Sequence, residues 1–307
     1  MEVHQLRYFC AVVETGSFTR AAAREHVAQP SLSQQIMKLE EELGALLFER
    51  LGRTVRVTDL GQTFLPRARA ILRELQAAKD EVVERKSSVS GPVAIGVIPT
   101  IAPYFLPTRI ATFTRKFPDS SLSVVEDITL GLMDRLRAGT IDLALMALPL
   151  RGHDFESFPL RTERLFAILP KGHELARKRT LTLKELRDEP FLLLRDDHCF
   201  RETTMEVCQR ARVLPQIVFE SGQFSSILGM VGAGLGISIV PEMALERRPD
   251  CSFVVISDEK ASRTIGVATI KGHFLSRAQK AFMAHLRTNA QARPQRTHQE
   301  PDLHEPG

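Results

Sequence analysis

Over the first sixty positions apolar residues recur at intervals of three and four, the period of helices that bury one face. Leu6, Phe9, Cys10 and Val13 share a face over 4–15; Gly16 ends that helix and Ser17 is placed to cap a second over 18–25. After a short turn at 26–28, Pro30 suits the first turn of a third helix, whose stripe is Leu32, Ile36, Leu39 and Leu43 and whose stop is Gly44. Residues 47–57 then read as a hairpin turning at Gly52, and Thr58 can cap a long helix from 59 to about 85. Its apolar positions, Leu60, Phe64, Ala68, Ile71, Leu75, Ala78 and Val82, step by four and three in a near-heptad seam. Such a seam predicts pairing with a second copy of the same helix. The polar stretch 86–91 reads as a linker.

From Pro92 the period changes. Continuous apolar runs at 93–98, 122–126, 142–146, 165–169, 191–194, 236–240 and 264–269 alternate with helical stretches, which predicts an α/β unit with largely parallel sheets. The proline-rich polar end, TNAQARPQRTHQEPDLHEPG, predicts a disordered tail.

Composition narrows the class. The chain has 307 residues and 43% hydrophobic content, enough for two or three packed units. No apolar run reaches membrane-spanning length, and the start lacks an export signal, so a cytoplasmic protein with no membrane partner is expected. Four cysteines in such a chain do not make a disulfide framework, and neither they nor the nine histidines carry metal-ligand spacing, so no metal or cofactor is expected. The net charge of +4 permits a nucleic-acid partner without demanding one.

Helix, turn, helix and hairpin is the winged helix-turn-helix arrangement, in which the last helix enters the DNA major groove and the wing touches backbone. Off the apolar stripe, the third helix offers Gln29, Pro30, Ser31, Ser33, Gln34 and Lys38, with side chains that can reach base edges or phosphates. Arg50, Arg53 and Arg56 at the hairpin suit phosphate contacts. Residues 1–58 hold seven Lys/Arg and seven Asp/Glu, so placement of charge, not its sum, must carry binding; Glu40, Glu41 and Glu42 fall at the far end of the helix. The competing view is a small helical domain with a solvated charged face.

The run SFTRAAAREHVAQPSLSQQIMKLEEELGALLFERLGRTVRVTDLGQTFL resembles the DNA-binding head of the LysR-type transcriptional regulators, with QPSLSQQI, LE, LG and LF-R in register. That resemblance implies a head at 1–58, a dimerising linker helix and hinge at 59–90, and a two-lobed effector domain at 91–288 like that of periplasmic binding proteins. The lobes would be 91–163 plus 268–288, and 164–267, with 289–307 as the disordered tail. It also implies double-stranded DNA as partner, a homodimer through the linker helix, a homotetramer, and RNA polymerase as a further candidate partner. Effectors of such folds bind between lobes, where Thr100 and Thr129 would present hydroxyls. On their positions alone, both threonines are simply helix caps. The GAGLG of 232–236 stands between helix and strand, the wrong order for a dinucleotide fingerprint.

In DDHCFRETTMEVC, residues 196–208, two cysteines stand nine positions apart. If the segment is helical, nine residues rise about 13 Å and turn roughly 180°, whereas a disulfide needs Cα atoms within about 7 Å. Helix and disulfide exclude one another, which a redox switch would exploit; two buried small hydrophobes would read the same way. Cys199, near a helix N-terminus beside His198 and Arg201, is expected to have a stabilised thiolate. HCFRETTMEVC and GPVAIGVIPTIAPYFLP resemble the peroxide-sensing branch of the same family. By that resemblance hydrogen peroxide is the effector, Cys199 the reactive thiol and Cys208 its resolving partner, with Thr100, Thr129, His198 and Arg201 positioning peroxide or stabilising the sulfur charge. Val218-Phe219 stands where relatives in that branch often have His-Phe. Cys10 reads as structural and Cys251 has no role. The alternatives are a LysR-type regulator of a small organic ligand, a thiol peroxidase, and a solute-binding protein.

Overall fold

The computed structural model describes residues 1–51, 54–83, 89–150, 152–246 and 248–290. Three helices open the chain: α1 (Val3–Thr15), α2 (Phe18–Arg24) and α3 (Gln29–Leu43). Gly16 and Gly44 end the first and third in the left-handed conformation that glycine adopts without steric cost. The wing is β1 (Phe48–Leu51) paired antiparallel with β2 (Thr54–Val57); Gly52 and Arg53, the predicted turn, lie outside the described residues. Phe9 sits at the centre of the N-terminal core, its ring 5.3 Å from both Phe48 and Phe64, and Leu32, Ile36 and Leu39 close the core from α3. Leu43, the last position of the predicted stripe, is exposed instead.

Glu40 is not part of a solvated acidic end. It is 7% exposed and accepts hydrogen bonds from the backbone N–H groups of Leu47 (2.7 Å) and Phe48 (3.1 Å), fixing where the wing begins. Glu40→Ala would leave two buried donors unpaired, so we expect a loss of about 2–4 kcal/mol in urea denaturation of the full chain.

α4 (Asp59–Val83) follows, its first turn capped by Thr58 Oγ1, which accepts from Gly61 N at 2.9 Å. Leu65 and Ala68 pack into the N-terminal core, while Leu60 and Ile71 of the predicted seam are exposed. Residues 84–88, which include the first half of the predicted linker, lie outside the described residues, and Gly91 already belongs to a strand.

The remainder is a mixed α/β unit. In chain order it contains β3 (Gly91–Val97), α5 (Ala102–Lys116), β4 (Ser120–Glu126), α6 (Thr129–Ala138), β5 (Leu143–Leu148), β6 (Phe155–Pro170), β7 (Thr180–Leu181), β8 (Pro190–Leu194), α7 (Cys199–Arg210), β9 (Gln216–Ser221), α8 (Phe224–Gly232), β10 (Ser238–Pro241), β11 (Cys251–Ile256), β12 (Ser262–Ile270) and α9 (Arg277–Ala290). Strands run in the order β4-β3-β5-β12-β6-β11-β7, with β10 also on β6; β8 and β9 form a separate parallel pair.

The expectation of largely parallel sheets needs correction. β3 is parallel to β4 and β5, but β12 is antiparallel to both β5 and β6, as are β10 and β11 to β6. β6 is the reason. Its first part pairs with β12 and its last residues, Leu165–Pro170, pair with β10 and β11, so one strand serves two cores. A middle core gathers β3, β5, α5, α6 and α9 around Ile95, Phe113, Leu145 and Phe282. A distal core gathers β8, α7, α8 and β10 around Phe191, Phe200, Ile227 and Ile239. The tail expectation is corrected too: α9 continues through Ala290, and only 291–307 lie outside the described residues. At the GAGLG turn, a Cβ on Gly236 would stand 2.3 Å from Pro190 O, so close backbone approach, not phosphate binding, explains that glycine.

Candidate functional site

α7 begins at Cys199, with His198 as its N-cap residue. Phe200, Thr204, Val207 and Cys208 are its buried face, at the three-and-four spacing that the segment's sequence predicts. Thr204 returns its hydroxyl to Phe200 O at 3.0 Å, and Phe200 meets the edge of Phe224, with centroids 5.2 Å apart. At the far end Arg212 adopts a left-handed φ of 57°, and Val213 N donates to Cys208 O at 2.9 Å, closing the helix.

The two sulfurs therefore occupy different surroundings. Cys208 is fully buried in the distal core; desolvation, and then the nearby Asp258 carboxylate, push its thiol up to about 12. Cys199, at the other end of the helix, packs against the middle core and keeps part of its surface open. All four cysteines are free thiols.

The N-termini of α7 and α6 meet at Cys199. Thr129 is the first residue of α6, and Thr100 stands in the turn that leads into α5. Thr100 is 3% exposed; its Oγ1 accepts from Arg263 Nη1 at 3.0 Å and its carbonyl from Arg263 Nη2 at 3.1 Å. Arg263, on β12, is itself buried, ion-paired through Nε to Glu163 at 2.7 Å, and stacked 5.0 Å from the Phe200 ring. Thr129 Oγ1 is buried and faces the sulfur.

This environment corrects one expectation. Burial raises the Cys199 thiol above its ordinary range, outweighing the downward pull of the Thr129 hydroxyl and of the Arg263 charge; Glu202 adds to the rise. Nor does His198 supply a cation. Burial lowers its pKa more than Asp197, 3.7 Å away, raises it, so the ring is neutral near pH 7. Arg201 is turned elsewhere: its Nε pairs with Asp196 at 2.6 Å and its Nη1 serves Glu220 and the Leu194 carbonyl. The cation felt by Cys199 is Arg263. With the thiol's pKa raised, its alkylation by iodoacetamide should climb about tenfold per pH unit from pH 6 to 8, without a plateau in that window; peptide mass spectrometry reads this directly.

Arg263 and Glu163 were not legible as site residues. Each is a charge abutting an apolar strand run, RTIGVAT and ERLFAIL, and only the register Arg263↔Glu163 between β12 and β6 brings them together. Val218 is the bulged residue of β9, unpaired where Ile217 and Phe219 face β8, and it is exposed. Cys251 is buried, its Sγ donating to Leu228 O at 3.5 Å. On the head, Gln29, Pro30, Ser31, Gln34 and Lys38 are exposed along α3, as is Arg56 on the wing, and Ser33 is half-buried. Arg50 belongs to β1, and Arg53 lies outside the described residues. Among the described residues no helix is long and apolar enough to cross a membrane.

A bacterial regulatory helix-turn-helix of the lysR family matches residues 3–62, and the LysR substrate binding domain matches residues 86–291. The chain belongs to the LysR family, whose members are transcriptional regulators and not enzymes. It is 32% identical over 286 residues to the uncharacterized HTH-type transcriptional regulator YybE of Bacillus subtilis, covering 93% of this chain and 98% of that one. It is 34% identical over 270 residues to the DNA-binding transcriptional dual regulator OxyR of Escherichia coli K12, covering 87% and 88%. Among solved structures, a full-length OxyR variant from Pseudomonas aeruginosa superposes with a TM-score of 0.80 at 31% identity, over 95% of each chain. The chain is thus related to the hydrogen peroxide-inducible activators.

Proposed function

We propose that this regulator senses hydrogen peroxide through a reversible Cys199–Cys208 disulfide that remodels the effector domain. The observation that carries the reading is the setting of Cys199. It is a thiol at a helix N-terminus, between the buried Thr129 hydroxyl and a fixed guanidinium, with Cys208 locked in another core. In this reading Thr100, Thr129 and His198 hold the peroxide. The Cys199 thiolate attacks one peroxide oxygen; an S–O bond forms, the O–O bond breaks and hydroxide leaves, giving a sulfenic acid. The Cys208 thiol then attacks that sulfur, an S–S bond forms, and water departs. The overall change converts two thiols and one peroxide into one disulfide and two waters.

The helix holds the two Cα atoms about 13 Å apart, nearly twice the reach of a disulfide. Resolution therefore requires α7 to unwind. That takes Cys208 out of the distal core and frees Phe200 from Phe224 and Arg263. Hydrophobic burial opposes the change, at about 1.5–3 kcal/mol for a side chain the size of Phe200, and formation of a covalent bond offsets it.

The output runs through residues 1–58 on double-stranded DNA in the cytoplasm. In this reading Gln29, Pro30, Ser31, Ser33, Gln34 and Lys38 face the major groove, and Arg50 and Arg53 face backbone phosphate. Residues 59–90 carry the dimer contact, which the exposed Leu60 and Ile71 favour, within a homotetramer able to engage RNA polymerase. Residues 91–288 form the effector domain, with lobes 91–163 plus 268–288 and 164–267. The test is one equivalent of peroxide on the reduced protein, followed by peptide mapping and DNA footprinting. A 199–208 linkage together with an altered footprint is expected. An unchanged footprint, or no linkage, favours regulation by a small organic ligand between the lobes, and sustained turnover with a thiol reductant favours a peroxidase.

A further inference from the structure

We infer that Glu163 is a positioning residue for the Cys199 chemistry, acting through Arg263 on Thr100. The inference rests on the reading of Cys199 as the peroxide-reactive thiol and names a residue outside the set first expected to serve it.

Glu163 and Arg263 are direct cross-strand neighbours on β6 and β12, the two strands that pass between the middle and distal cores. Their side chains are 0% and 2% exposed, so no bulk water can replace either partner. Glu163 uses both oxygens: Oε1 accepts from Arg263 Nε at 2.7 Å, and Oε2 accepts from Met243 N at 2.8 Å in the short helical turn Glu242–Ala244. The carboxylate is thus held from a third segment and cannot swing with the guanidinium. Arg263 is fixed in turn on every side that matters, by Glu163 at Nε, by Thr100 at both terminal nitrogens, and by the Phe200 ring against its face.

The consequence falls on Thr100. A hydroxyl has one proton to donate, and the Thr100 oxygen already accepts from Arg263. No acceptor among the described residues takes that proton, so Thr100 keeps a donor, held on the same guanidinium whose charge acts on the Cys199 sulfur. Cleavage of the O–O bond places negative charge on the departing oxygen, and donors fixed in advance stabilise that charge most. Glu163 sets the pose of the guanidinium, and the guanidinium sets the orientation of the hydroxyl. Alkylation by iodoacetamide needs a thiolate and no such donor, so the two reactions separate orientation from mere thiol reactivity.

The experiment measures both rates at Cys199 in the full chain at pH 7, by peptide mass spectrometry, for wild type, Glu163→Gln and Glu163→Asp. In E163Q the peroxide rate should fall at least about tenfold while alkylation holds or rises, since the Arg263 charge is no longer offset. E163D keeps the charge on a shorter arm that cannot serve both Arg263 and Met243, and should fall between the two. A folded E163Q with the wild-type peroxide rate overturns the inference, as does an equal fall in both reactions. If E163Q does not fold, E163D reacting at the wild-type peroxide rate overturns it. A wild-type Cys199 inert to peroxide defeats the underlying reading instead, and the inference with it.

Discussion

Cys199→Ser is expected to erase the response of the DNA footprint to peroxide while leaving the reduced footprint in place. Serine fills nearly the same volume at the first position of α7, where helix dipole and packing against the middle core are undisturbed. What it lacks is a sulfur that peroxide can oxidise. Cys208 does not substitute, because it is fully buried with a thiol pushed up to about 12. Cys251 is buried on β11 and Cys10 lies in the N-terminal core, so neither is placed to take over. Footprints of wild type and C199S across a peroxide titration measure the effect. A mutant footprint that still shifts would place the sensor elsewhere.

Arg263→Ala should lower the stability of the effector domain by about 3–5 kcal/mol. Glu163 is wholly buried, and without Arg263 its carboxylate retains, among the described residues, only the Met243 N–H. Thr100 loses the donors to its hydroxyl and carbonyl, and the Phe200 ring loses the cation stacked on it. The cost is that of an uncompensated buried charge, not the net worth of the pair. A double replacement, Arg263→Met with Glu163→Leu, should therefore recover most of the loss. Urea denaturation of Arg263→Met, Glu163→Leu and the double variant forms the cycle, with Arg263→Ala measured beside them.

The sequence made the repeating parts of this molecule readable and left the joints hidden. The head was legible because helical stripes, glycine stops and the Thr58 cap all agree. α7 was legible from Phe200, Thr204 and Cys208, and with it the separation of the two thiols. Three strands were not. β7 is two residues long, β9 is largely exposed, and β11 begins at a cysteine beside polar loop residues. The reach of β6 was hidden because Phe155–Arg164 alternates charge with apolar residues, and only pairing with β12 makes it a strand. The Cys199 environment escaped for a related reason. Neighbours in sequence, His198 and Arg201, suggested a lowered thiol pKa, but one ring is neutral and the other side chain is committed to Asp196 and Glu220. The groups that face the sulfur, Thr129 and Arg263, come from positions 70 residues before it and 64 after it, and desolvation outweighs both.

Peroxide sensing as proposed requires α7 to keep Cys199 and Cys208 apart until oxidation unwinds it. Amide hydrogen exchange over residues 199–210, before and after one equivalent of peroxide, tests this most directly. Slow exchange in the reduced protein and rapid exchange across those residues once the 199–208 bond has formed is the predicted result. Protection that persists unchanged in a protein shown to carry that bond would contradict it.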